Sequence, residues 1–276
     1  MQAKKPMIKS DLHIHTLHSD GAMSVGEVMD IAKFKGFDCI AITDHDTVSG
    51  VSDAMLYGKE IGLKVVPGIE LSAYSVMAVH ILGYGIDYNS PALLELLNSL
   101  LEQRQVRAME IVEKLKRFNI LIDTETLPKV NVGRSHIAMA LKNAGYVSNI
   151  QEAFDKYLGE NRLAYVPSKR INPIEAVQAI KDSGGMAVIA HPLQLHNTKK
   201  LIPLIEGLKK YGLDGLEVYY PTHTQDKTAM FEKIAKDYKL FATGGSDFHG
   251  ANKNNTINNI GETYCNLPFE LRRNLK

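Results

Sequence analysis

The sequence predicts an α/β fold, a closed or nearly closed barrel of repeated βα units with a helical insertion, and three observations predict it. Short apolar runs alternate with helical patterns along most of the chain, the order expected of parallel βα units. The alternation breaks once, between Pro91 and about Pro167, where only helical patterns occur. Most of the ten histidines stand where an apolar run ends.

Each element follows from local signals. Met7 to His13, Asp38 to Thr43, Lys64 to Ile69, Val79 to Gly83, Met186 to Ala190, Gly215 to Tyr219 and Leu240 to Thr243 have the length and composition of strands. Ser24, with Glu27 three residues on, forms a capping box that starts the first helix. Asn172, Pro173 and Glu175 supply a cap, a first-turn proline and a third-position carboxylate for a later one. Within the break, Leu93, Leu94, Leu96, Leu97, Leu100 and Leu101, followed by Ile111, Val112 and Leu115, read as a long amphipathic helix. Shorter helices follow around Ser135 to Asn143 and Asn149 to Leu158. The chain therefore divides into a first barrel part at 1–88, a helical insertion at 89–167 and a second barrel part at 168–276. The insertion, at roughly seventy to eighty residues, is large enough to be a small subdomain.

A chain of 276 residues with 45% apolar and 23% charged side chains can bury a core, which excludes disordered, collagen-like and disulfide-stapled classes. Its 32 basic and 31 acidic groups leave a formal net charge of +1, so no strong positive field suits it to duplex DNA. A locally basic cleft for a phosphorylated ligand is compatible with that balance. Cys39 and Cys265 cannot build a disulfide framework and read as reduced core thiols. The charged first residues have no apolar segment behind them, and no run approaches the ~18 apolar residues of a membrane span. A cytoplasmic protein without a membrane partner is the expectation, with the oligomeric state left open.

The histidines carry the chemistry. His13 and His15 end the first strand, with Asp20 close behind; His45 lies between Asp44 and Asp46 after the second; Glu70 ends the third. His80 opens or lies within the fourth, His191 ends the fifth, and Asp247 and His249 end the seventh. In a parallel barrel these ends converge on one face, where active sites are built. Imidazoles and carboxylates without thiolates suit zinc, manganese or iron, and the period-two spacing of His13 with His15, and of Asp247 with His249, points each pair to one side. So many ligands require two or three ions. A carboxylate such as Glu70 can bridge two of them, and a water held between would be deprotonated near neutral pH into a hydroxide nucleophile.

The segments Asp11-Leu12-His13-Ile14-His15-Thr16, Ser19-Asp20-Gly21, Ile42-Thr43-Asp44-His45-Asp46, Gly68-Ile69-Glu70, Ala190-His191-Pro192 and Ser246-Asp247-Phe248-His249 resemble the motifs of the PHP family, the polymerase and histidinol phosphatase phosphoesterases. The resemblance covers essentially the whole chain. It implies a distorted (β/α)7 TIM-like barrel and three divalent metal ions. Carried over, it gives His13, His15, Glu70 and Asp247 to a first ion, Glu70, His80 and His191 to a second, and Asp20, His45 and His249 to a third. Asp20 stands where some members carry histidine.

The insertion is similar to that of the nucleotide-acting branch, on Arg134-Ser135-His136, Tyr157-Leu158-Gly159, Tyr165-Val166-Pro167 and the run Gly184 to Pro192. That branch removes the 3'-phosphate of nucleoside 3',5'-bisphosphates or trims short RNA from a 5'-monophosphate end, the insertion closing over the substrate. Physically, Arg134 at a helix start offers a phosphate its planar fork, with Ser135 and the first-turn amides adding donors and His136 beside it. Lys169 and Arg170 add cations. His223 is placed to protonate a leaving alkoxide. Tyr219 or Tyr220 is placed to stack on a base, and since strand neighbours face opposite ways, one of the two belongs to the core. Histidinol-phosphate phosphatase is the alternative enzyme, and a non-catalytic metal or nucleotide sensor the alternative of another class.

Overall fold

The computed structural model describes residues 7–75, 77–129, 131–167, 170–195, 198–250 and 259–274. Strands β1 (Lys9–Ile14), β2 (Cys39–Ile42) and β3 (Lys64–Tyr74) run parallel to one another. β4 (Ala78–Tyr84) runs against both β3 and β5 (Met186–Ile189), and β5, β6 (Leu213–Tyr219) and β7 (Phe241–Gly244) are again parallel. The short β8 (Cys265–Asn266) pairs antiparallel with β1. The sheet order is β7-β6-β5-β4-β3-β2-β1-β8.

The sheet curls until its ends nearly meet. The Ser246 N–H donates to Asp11 Oδ1 at 2.9 Å and the His15 N–H to Phe248 O at 2.9 Å, tying the segment after β7 to β1. A Cβ on Gly245 would lie 2.4 Å from the His13 nitrogen, so glycine is what allows this approach. The barrel predicted from the strand-helix alternation is therefore present, with one correction. β4 is not a parallel member, because residues 75–77 link it to β3, far short of the dozen or so residues a parallel crossover needs. β3 also extends beyond Ile69, because Gly68 to Tyr74 pairs with β4 across that hairpin. β8, two residues long, is too short to leave a pattern in the sequence.

Helices α1 (Val25–Phe34) and α2 (Val51–Ile61) follow the first two strands. Ser24 and Glu27 form the reciprocal cap of α1, the Ser24 N–H donating to Glu27 Oε2 at 2.8 Å. Between β4 and β5 come α3 (Pro91–Arg117), α4 (Arg134–Asn143) and α5 (Ile150–Ala153), the last continuing into a π-helical turn at Phe154–Leu158. α6 (Pro173–Asp182), capped by Asn172 with Glu175, α7 (Leu201–Lys209) and α8 (Gln225–Asp237) complete the set.

Leu93, Leu97 and Leu100 of α3 pack with Ile81, Ile189 and Leu216 of the barrel. Leu12, Val66, Leu82, Tyr84 and Val188 fill the barrel floor, where the Tyr84 hydroxyl donates to Leu12 O at 2.8 Å. Ile111, Val112, Leu115, Ile137, Leu141 and Leu158 form a separate apolar cluster among the helices between β4 and β5. Each such side chain contributes about 1.5–3 kcal/mol on burial. Among the described residues no helix is long and apolar enough to cross a membrane.

Candidate metal centre and its cavity

The strand ends bring His13, His15, Asp20, His45, Glu70, His80, His191, Asp247 and His249 to one mouth of the barrel. The reversed β4 reaches the same mouth with its first half, where His80 stands opposite Ser72 of β3. Pairing persists past the end of β2 as a bridge between His45 and Glu70, with the Asp46 N–H donating to Glu70 O at 3.0 Å. Asp46, His191 and Asp247 hold left-handed backbone angles, with φ of 51°, 25° and 50°. Such strain in residues other than glycine persists only where the surroundings impose it. Here the His191 N–H donates to Glu217 Oε2 at 2.6 Å, and Asp247 Oδ2 accepts from the Tyr220 hydroxyl at 2.6 Å.

The ligand atoms form overlapping groups, each within 4.8 Å: His13, His15 and Asp247; His13, Glu70 and His191; His45, Glu70 and His80; and His15, Asp20, His45 and His249. In the innermost set the separations are 3.4 Å for His13 Nε2–Glu70 Oε2, 3.5 Å for His13 Nε2–Asp247 Oδ1, and 3.2 Å from His15 Nε2 to each of those carboxylates. Four ligands about 2.0–2.1 Å from a tetrahedral ion stand ~3.3 Å apart, so these spacings fit one. Among the described residues His13 Nε2, His15 Nε2, His45 Nδ1 and Glu70 Oε2 are buried with no hydrogen-bond partner, a costly state unless a cation completes it. The donor set fits divalent metal ions.

The far sides of the ligands are held. His13 Nδ1 lies 2.9 Å from Glu217 Oε1; a buried carboxylate accepts, so Nδ1 carries the proton and Nε2 is left to ligate. Tyr220 in turn accepts from Gln194 Nε2 at 2.7 Å. Glu217 went unnoticed in the sequence, where a lone acid in the run Gly215-Leu216-Glu217-Val218 was its only signal. Burial alone would lower His13, but the Glu217, Glu70 and Asp247 carboxylates outweigh it and raise the imidazole well above its ordinary value. For His15 burial is likewise overcome, by Asp247 and Glu70, and the ring is raised to about 9. The carboxylates thus favour positive charge at the positions a metal would fill.

Beside the cluster opens a cavity of about 510 Å³. Arg104 and Arg107 of α3, Arg134 of α4 and Arg170 all line it, with Ser135 and His136. Arg104 is paired with Asp46 and donates to Ser72 Oγ at 2.9 Å. Among the described residues Arg107, Arg134 and Arg170 form no ion pair with a carboxylate; Arg107 and Arg134 bond the carbonyls of Val166 and Leu158. Burial, then the Arg134 and Arg170 charges, bring Arg107 down to about 10; burial, then Arg104 and Arg134, do the same for Arg170. Ser135 Oγ donates to Asp20 Oδ2 at 3.3 Å, and His136 Nδ1 accepts the Gly133 N–H at 3.0 Å. Arg104 and Arg107 were missed because basic residues on a helix otherwise look solvated.

Two expected residues do not reach the cavity. Tyr219 turns outward and its hydroxyl donates to Glu232 Oε1 on α8 at 2.8 Å, so by strand alternation it is Tyr220 that faces the mouth. His223 is packed between Tyr220 and Phe231, with its Nδ1–H donating to Val218 O at 2.8 Å, and is not among the lining residues. Lys169 lies outside the described residues.

The PHP domain model matches residues 11–165, more than half of the chain. The chain belongs to the PHP domain family. It is 36% identical to the 5'-3' exoribonuclease of Haemophilus influenzae, over 87% of this chain and 90% of that one. It is 34% identical to the phosphoribosyl 1,2-cyclic phosphate 1,2-diphosphodiesterase of Eggerthella lenta, over 87% and 94%, and 34% identical to the 3',5'-nucleoside bisphosphate phosphatase of Chromobacterium violaceum, over 88% of each. Among solved structures of PHP-like proteins, one from Bifidobacterium adolescentis assigned as a metal-dependent phosphoesterase superposes with a TM-score of 0.85 at 28% identity, covering 96% of this chain and 94% of the other.

Proposed function

We propose that this PHP protein is a metal-dependent phosphoesterase that hydrolyses a phosphate ester of nucleotides carrying a second phosphate. Its substrates are nucleoside 3',5'-bisphosphates, cleaved at the 3'-phosphate, and/or short 5'-phosphorylated RNA. The observation that carries this reading is the placing of three guanidinium groups, without carboxylate partners among the described residues, in one cavity with the His/Asp/Glu cluster. A cavity so charged is costly unless an anion fills it, and one monoester at the metal face would leave the arginines unmatched. The relatives' names support it, since each names a nucleotide, an RNA or a phosphoribosyl compound.

In this reading His13, His15, Glu70 and Asp247 hold one ion, Glu70, His80 and His191 a second, and Asp20, His45 and His249 a third. Manganese, zinc and iron suit these donors. Bound ions supply Lewis acidity and lower the pKa of water. The chain's own residues do the rest. Glu217 and Tyr220 fix the ligands, while Arg107, Arg134 and Arg170 grip the phosphate that is not cut. The first-turn amides of α4 add neutral donors, while the Ser135 hydroxyl is held by Asp20. Residues 89–167 form a helical insertion that closes over the nucleotide, a division supported by its own apolar cluster.

The test is chelator-sensitive phosphate release by manganese-loaded protein from adenosine 3',5'-bisphosphate, compared with adenosine 3'-monophosphate, histidinol phosphate and a 5'-phosphorylated RNA. Efficient turnover of the bisphosphate or the RNA, and poor turnover of the 3'-monophosphate, is the expected result. Turnover of histidinol phosphate alone would overturn it.

A further inference from the structure

The side-chain hydrogen bonds that join the 89–167 segment to the barrel are not spread evenly. Among the described residues those that reach beyond chain neighbours come from Arg104, Asn131, Ser135 and His136, and all but one, from Arg104 to Ser72 Oγ at 2.9 Å opposite His80, land on one side of the cluster. Ser135 Oγ donates to Asp20 itself at 3.3 Å. Asn131 Nδ2 donates to His45 O at 2.7 Å and to His18 O, on the loop that carries Asp20, at 3.2 Å. Arg104 Nε donates to Asp46 Oδ2 at 2.8 Å, one residue beyond His45. None reaches His13, His15 or Asp247.

The same side is looser than the innermost set. His249 Nε2 and Asp20 Oδ1 stand 3.1 Å apart, but His45 Nε2 is 3.9 Å from that oxygen, outside the 3.2–3.5 Å spacing of the innermost set. The other nitrogen of His45, Nδ1, lies 3.0 Å from Glu70 Oε2, so the ring stands between two carboxylates. The Asp20 and His45 side chains keep 16% and 15% exposure, against 0% for His13 and His15, while His249 keeps 2% and His80, of the second group, 22%.

We infer that the Asp20–His45–His249 position is a weak, exchangeable ion site whose affinity is set by Asn131, Ser135 and Arg104, acting as positioning residues. The inference rests on the metal reading above. A nucleotide gripped by the arginines of α3 and α4 fixes the segment that carries these three residues. That fixes Asp20 and the backbone of His45 in turn. Nucleotide and third ion therefore strengthen each other's binding, by the same factor in both directions, as linkage requires.

The experiment is equilibrium dialysis of the full chain against Mn²⁺, with protein-bound metal measured directly, with and without adenosine 5'-monophosphate, the product under the proposed function. In the unaltered protein the weakest-bound ion is expected to tighten about tenfold when the nucleotide is present, within the usual range of such couplings. Asn131→Gly removes the amide yet tolerates the left-handed φ of 56° at that position, and Ser135→Ala removes the bond to Asp20. In both variants the tightening should fall below about threefold while the tightest ion is retained, with thermal unfolding used to confirm that they fold. Equal tightening in the unaltered protein and both variants would overturn the coupling, as would three ions of equal affinity without nucleotide. Failure of the unaltered protein to retain any ion would sink the metal reading itself, and this inference with it.

Discussion

Glu217 accepts from His13 Nδ1 and from the His191 backbone N–H with its two oxygens, so one carboxylate orients groups assigned to two ions. Glu217→Gln keeps the shape but offers His13 an acceptor only in one amide orientation and carries no charge. Metal affinity should drop 10- to 100-fold, with the circular dichroism spectrum unchanged. Arg134→Ala should mainly raise KM if the guanidinium holds the uncut phosphate alike in ground and transition states; a loss confined to kcat would show that it acts on the transition state. The thiols give a prediction about pH. Burial pushes Cys39 up to about 12 and raises Cys265 as well. The folded chain keeps both protons while the unfolded chain loses them near the ordinary thiol value of 9.0. Stability should therefore fall as pH rises from about 9 towards 12, and neither thiol should react with a thiol reagent at pH 8 until denaturant is added.

At the scale of elements, caps and strand ends were the most legible features, because both are written in adjacent residues. Ser24 with Glu27 and Asn172 with Glu175 form the bonds their spacing implies. Ser24→Ala or Asn172→Ala should lower unfolding free energy by about 1 kcal/mol in a denaturant titration, with kcat/KM unchanged. The direction of β4 was legible only from the length of its link to β3, a quantity the apolar pattern does not carry. Alternation established that Tyr219 and Tyr220 face opposite ways but not which one faces the mouth, because phase depends on the sheet around them. Arg104 and Arg107 lie 58 and 59 residues from Asp46 and Val166, the partners they bond. Nothing local marks such residues as cavity lining.

For the whole molecule, the candidate site is a concentration of buried carboxylates and imidazoles that only added positive charge completes. Removing divalent ions with a chelator should therefore lower the melting temperature, and restoring manganese should recover it, since a ligand that binds only the folded chain stabilises it. The opposite shift would mean the cluster is better satisfied without ions. The family motifs were legible because each lies within a few consecutive residues. Their convergence followed from the barrel, but the contacts that close it, through Gly245 and Asp11, join residues more than 200 apart and left no local signal.

That seam has a consequence for how the protein is made. Ser10 pairs with Cys39 on one side and Cys265 on the other. A ribosome adding about 5–20 residues per second completes the first of these neighbours within seconds but needs roughly 11–45 s more to deliver the second. Throughout that interval the nascent chain holds an unpaired strand edge bearing Asp11, His13 and His15. Vectorial synthesis thus leaves the innermost part of the metal pocket open to the cell until almost the last strand has emerged.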